Sequence, residues 1–156
     1  MTQYHYISSP MRLKEGTFGD NPISPNVYAN ELDFTHLYIE RNYDLEEKRI
    51  FSFSKHFQFK HQVWMMSQQV PMKGEKRISP EGDKCLKILY EYIKEAVNES
   101  GVIEYFASLN SEEDLPISHK REMTLTDLKS PRDLIIAQRE FVTIYKDYDD
   151  GIISNE

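Results

Sequence analysis

Asp33, His36 and Glu40 form a D-x-x-H-x-x-x-E run early in the chain. Spacings of three and four bring side chains to one face of a helix. Two carboxylates and an imidazole placed that way could bind Mn, Fe or Zn. The arrangement requires residues 31–43, ELDFTHLYIERNY, to be a helix capped by Asn30. Their Phe, Thr, Tyr and Ile content instead favours a strand with Leu32, Phe34, His36 and Tyr38 on one side. A metal-dependent enzyme using these three residues is thus the lowest-ranked functional reading, and no cofactor is expected.

The second chemical signal is the segment RIFSFSKHFQFKHQVWMM, residues 49–66, where aromatic rings alternate with cations and amides and no carboxylate intervenes. A strand over residues 57–66 places Phe57, Phe59, His61, Val63 and Met65 on a core-facing side. The opposite side then displays His56, Gln58, Lys60, Gln62 and Trp64. A cation, two amides and an indole on an open sheet can stack on bases and contact phosphates. These five residues are the candidate binding set. On this geometry His61 is a hydrogen-bonded core histidine.

Other chemistry is weaker. Gly16-Thr17-Phe18-Gly19 lacks the lysine and hydroxyl of a phosphate loop, and residues 14–26 read as turns. Cys85, the only cysteine, falls beside an apolar stripe and reads as an inert, partly buried thiol. No serine sits in a G-x-S-x-G elbow. Glu112-Glu113-Asp114 reads as a solvated loop. With no catalytic residue singled out, the pattern leans away from an enzyme.

The elements that must position these groups can be read in part. YHYI, residues 4–7, forms a first strand closed by Ser8-Ser9-Pro10. Ser79-Pro80 starts the longest helix, about 80–99, with Leu86, Leu89, Ile93, Ala96 and Val97 on one stripe and Gly101 as its left-handed stop. Gly82 weakens its first turn. VIEYFASL, residues 102–109, alternates as a strand, and NSEEDLPISHKRE is too charged for core. Ser130-Pro131 starts a shorter helix, about 131–139, followed by FVTIYK, which is apolar on both faces and suits an inner strand. The fold expected is a single α+β domain over residues 1–146 with five to seven mostly antiparallel strands, followed by an acidic tail, 147–156, mobile unless docked.

Charge limits the partners. The net charge is −7, which disfavours sequence-indifferent DNA binding. Residues 48–77 hold seven Lys/Arg against Glu75 alone, and internal pairing with acidic elements is the expected fate of those cations. No stretch approaches the ~20 apolar residues of a membrane span. The start MTQYHYISSP lacks a signal-peptide pattern. A cytoplasmic location and no membrane partner are expected, and the pattern leaves the oligomeric state open. Ten tyrosines in an acidic chain favour contact with another protein, since tyrosine is enriched at interfaces. The leading expectation is a small acidic binding or regulatory protein acting on a protein partner. Nucleotide or single-stranded nucleic-acid binding through residues 55–64 ranks second.

Overall fold

The structure is a computed structural model describing residues 2–66 and 69–147. The chain opens on β1 (Gln3–Ser9), then β2 (Gly16–Phe18), a short helix α1 (Glu31–Phe34) and β3 (Leu37–Arg41). A small hairpin, β4 (Tyr43–Asp44) and β5 (Arg49–Ile50), precedes β6 (His61–Met66). Helix α2 (Pro80–Ser100) leads into β7 (Val102–Leu109), β8 (His119–Thr124), a 3-10 turn (Pro131–Leu134) and β9 (Glu140–Tyr145). Seven strands form one sheet in the order β2-β3-β6-β1-β7-β9-β8, antiparallel except for the β8–β9 pair. This is a single-domain α+β fold with one long helix.

Local chemistry accounts for α2. Ser79 Oγ accepts the Gly82 N–H, Pro80 occupies the first turn, and Gly101 turns left-handed at φ 89° to close the helix. Its buried stripe includes Cys85, Leu86, Leu89, Ile93 and Val97. These residues lie against Ile7, Ile39, Val63, Met65, Ile103, Tyr105 and Ile144 of the sheet. Gly82 is more than a weak helix former here. A Cβ at that position would come within 3.0 Å of the Gln69 carbonyl oxygen, so the close approach of the 69–71 segment favours glycine.

Several expectations need correction. The second helix is one 3-10 turn ending at Leu134, because Ile135 is already extended and carries the chain toward β9. This segment is the crossover that a parallel strand pair requires, and it sends Leu128, Leu134 and Ile136 into the helix-side core. The charged stretch after residue 118 supplies β8, an edge strand. Its Lys120, Arg121 and Glu122 suit an edge that must not recruit further strands. Residues 31–43 divide among helix α1, strand β3 and the start of β4, and Gly16–Phe18 pairs with β3 rather than remaining a loop. Residues 148–156, most of the expected tail, lie outside the described residues.

The largest correction concerns residues 51–60. The strand in this region begins only at His61, and the preceding ten residues form an irregular loop across the sheet face opposite α2. Two buried side chains close its neck. Asn42 Nδ2 donates to the Phe51 and Lys60 carbonyls at 2.5 and 2.8 Å. Gln62 Oε1 accepts the Phe53 N–H at 2.8 Å, and its Nε2 donates to Ser52 Oγ and the Phe59 carbonyl at 2.9 and 3.0 Å. Buried Glu104 accepts the Gln58 N–H at 2.9 Å and the Ser8 hydroxyl at 2.6 Å. The loop tip is held by the segment after β7: Ser54 Oγ donates to the Glu113 carbonyl at 2.7 Å, and Lys55 N–H to Asp114 Oδ1 at 2.8 Å. These amides and carboxylates replace the ladder that a neighbouring strand would otherwise supply.

Asn42→Ala should therefore strand several buried backbone groups at the loop neck. Leaving such groups unpaired costs about 1–3 kcal/mol each. Urea unfolding is expected to show a loss of about 2–4 kcal/mol, with faster proteolytic cleavage within residues 51–60.

Candidate functional site

On the sheet face opposite α2, strand register builds a row that sequence order conceals. Glu40 lies opposite Trp64, Trp64 opposite Tyr6, Tyr6 opposite Phe106, and Phe106 opposite Phe141. A parallel row beside it is Gln62, Ser8, Glu104 and Thr143. The 51–60 loop covers part of this face. Phe57 contacts Phe106 and Phe141 with ring centroids 5.9 and 5.8 Å apart, and Phe53 approaches Tyr6 at 5.2 Å. The indole and these benzyl rings thus share one face, contrary to the expected separation. The cause is the loop, which folds its phenylalanines back onto the sheet.

The loop does not cover everything. Between its Phe53 and the sheet lies a cleft of about 190 Å³ lined by Tyr4, Tyr6, Phe53, Trp64, Asn110 and Glu113. Tyr4 and Trp64 meet edge to face at 85° with centroids 5.1 Å apart, so their planes make a corner. Tyr6 and Phe53 continue the aromatic lining at a 42° tilt. The Tyr6 hydroxyl donates to Glu113 Oε2 at 2.7 Å. Burial, the Glu113 hydrogen bond and its negative charge hold the Tyr6 phenol far above its ordinary pKa, so it remains a donor. Tyr38 and Met66, both about half exposed, extend this surface beyond Trp64. The acidic run 112–114 is therefore more than a solvated loop: it supplies the cleft's carboxylate and clamps the covering segment.

Of the five residues expected to form one displayed face, Trp64 alone lines the cleft. Gln62 is buried and committed to the loop neck. The His56 ring donates from Nε2 to the Leu115 carbonyl at 2.7 Å. Gln58 and Lys60 are exposed on the loop itself. Of the seven cations in residues 48–77, only Lys73 forms an ion pair among the described residues, with Glu140 at 3.2 Å. Internal pairing therefore explains little of that cluster. Its remaining cations are divided among the β4–β5 hairpin, the loop and the segment leading into α2.

Asp33, His36 and Glu40 do not share a helix. Helix α1 ends at Phe34, the His36 ring bonds the Phe34 carbonyl at 2.7 Å, and Glu40 belongs to β3. The described residues contain no group of three or more His, Cys, Asp or Glu side chains able to hold a metal ion. Cys85 is fully buried in the helix-side core.

A second polar cluster lies under the helix-side layer. His5 Nδ1 and the Tyr105 hydroxyl are 2.9 Å apart, and both residues are fully buried. Nearby charge comes from Glu140, which accepts from Arg121 Nε at 2.6 Å and from the Ala137 N–H at 2.9 Å. Burial opposes the Glu140 charge, but the Ala137, Arg121 and Lys73 hydrogen bonds outweigh it and hold its pKa below the usual carboxylate range. Burial and the Glu140 charge push the Tyr105 phenol well above its ordinary pKa. Burial lowers the His5 pKa from 6.5 to about 4. A neutral imidazole paired with a protonated phenol, both sealed from solvent, serves the core; it offers no surface to a substrate.

Sequence reasoning placed Trp64 in the binding set, counted Tyr4 and Tyr6 only among the tyrosines that favour a protein partner, and missed Phe53, Asn110 and Glu113. Tyr4 and Tyr6 were legible as alternate residues of a strand, but their meeting with Trp64 depends on β1–β6 register. No helix among the described residues is long and apolar enough to cross a membrane. No protein-family model, curated protein or solved structure matches the chain.

The His5 environment has a measurable consequence. Because folding lowers its pKa, the unfolded chain takes up the proton first, and stability falls as pH drops from 6.5 toward 4. Between pH 7.5 and 4.5 the wild type should lose on the order of 2–3 kcal/mol more than His5→Gln. Urea unfolding across that range reads the difference. Equal slopes would show that His5 does not carry it.

Proposed function

We propose that this is a small acidic binding protein that docks a positively charged segment of a partner protein on the sheet face opposite α2, with Trp64 at the centre of contact. The carrying observation is the convergence of four aromatic residues and the Glu113 carboxylate around one cleft. Glu40, opposite Trp64 in the neighbouring strand, adds a second carboxylate to the surround. Half-exposed Tyr38 and Met66 provide apolar area at its edge. Aromatic faces attract cations through their quadrupoles, and carboxylates at the rim repel phosphate while attracting lysine or arginine. The net charge of −7 would speed encounter with a basic partner.

The rival nucleic-acid reading loses its main support when Gln62 is committed to the loop neck and His56 to a backbone carbonyl. Trp64 emission, from the only tryptophan in the chain, distinguishes the two. Titration with a lysine-rich peptide should change the emission, with affinity weakening as salt rises, whereas a single-stranded oligonucleotide should leave it unchanged. A response to the oligonucleotide alone would reverse the ranking.

A further inference from the structure

The cleft's polar groups restrict which cation suits it. We infer that the cleft selects an N-methylated ammonium, specifically a trimethylated lysine side chain presented by the partner protein. This rests on the cationic-partner reading above and adds the identity of the side chain.

A guanidinium carries five N–H donors and a primary ammonium three, all needing acceptors once removed from water. The cleft's non-aromatic lining consists of Asn110 and Glu113. Glu113 Oε2 already accepts the Tyr6 hydroxyl at 2.7 Å. From within the cleft an unmodified lysine or arginine could reach only Glu113 Oε1 and the Asn110 amide oxygen as free non-aromatic side-chain acceptors, and its other N–H groups would face ring surfaces. A trimethylammonium has no N–H to satisfy. It carries diffuse positive charge on an apolar surface, which suits ring faces with a carboxylate nearby.

The geometry agrees with this choice. Tyr4 and Trp64 meet at 85°, giving walls in two directions. Phe53 extends the aromatic lining, and buried Tyr6, 5.2 Å from it, closes the floor. The cleft volume of about 190 Å³ fits a compact onium head with part of its alkyl stem. Three of the rings are set by the sheet: Tyr4 and Tyr6 on β1 and Trp64 on β6. Phe53 is set by Gln62 through its backbone N–H, so the cleft is largely formed before any ligand arrives. Such preorganisation reduces the ordering cost of binding.

The test is calorimetric titration of the full chain with one lysine-containing peptide in unmethylated and trimethylated forms. A third version carries an uncharged carbon isostere of trimethyllysine, with a tert-butyl end. The trimethylated peptide should bind at least tenfold more tightly than the other two. Trp64→Ala and Glu113→Gln should each remove most of that preference, while Trp64→Phe, which keeps a ring and guards against a folding defect, should retain part of it. Equal binding of the unmethylated peptide overturns the methylammonium assignment and leaves the cationic-partner reading standing, whereas equal binding of the uncharged carbon isostere shows that charge is not recognised and overturns both. Failure of all three peptides overturns both. Free choline or tetramethylammonium binding as tightly as the trimethylated peptide would identify a small onium compound as the ligand and overturn the assignment to a protein side chain.

Discussion

The sheet has two apolar faces and the chain has one long helix. That mismatch is the constraint from which the rest of the architecture follows. Helix α2 and the β8–β9 crossover cover one face with aliphatic side chains, as periodic sequences do readily. The other face carries Tyr6, Phe106 and Phe141 and needs shelter from water as well. An irregular loop provides it. Because a loop lacks a repeating hydrogen-bond pattern, each backbone group it brings inward needs its own partner.

Asn42, Gln62 and Glu104 meet that requirement. All three are buried polar residues that would be costly if unpaired, and their hydrogen bonds reach Phe51, Phe53, Gln58, Phe59 and Lys60 of the loop. Their role links packing to the site. By fixing the loop's path they decide which rings are covered and which remain accessible. Phe57 is drawn over Phe106 and Phe141, whereas Phe53 stops beside Tyr6 and leaves the Tyr4–Trp64 corner open. The cleft is the part of the second face that the covering loop does not reach.

The electrostatics follow the same division. On the helix side, charge is kept inside only where it is fully engaged, as Glu140 is by Arg121, Lys73 and the Ala137 N–H, while His5 and Tyr105 stay neutral. On the loop side, Glu113 hydrogen-bonds Tyr6 and lines a cleft open to solvent. A carboxylate placed among aromatic rings at a surface favours positively charged visitors. The helix-side core thus engages the Glu140 charge from several sides, whereas on the loop side buried Glu104 holds Ser8 and Gln58 through Oε1 and leaves Oε2 without a partner, and Glu113 faces the cleft.

Much of the fold could be read directly from residue order. The Ser79-Pro80 cap, the apolar stripe and Gly101 specify α2, and the largely apolar run at 141–144 specifies a strand buried on both faces. These signals act within a few residues, so they survive in a linear reading. The alternation of phenylalanines at 51, 53, 57 and 59 misled for the opposite reason. Whether such a stretch becomes a strand depends on what satisfies its backbone, and here side chains from Asn42, Gln62 and Glu104 take that role. The cleft was legible only in fragments. Tyr6 and Glu113, 107 residues apart, meet because β1 and β7 pair in one register and the chain turns back after β7. Local sequence sets which groups a strand can present; strand register and loop path decide which of them meet.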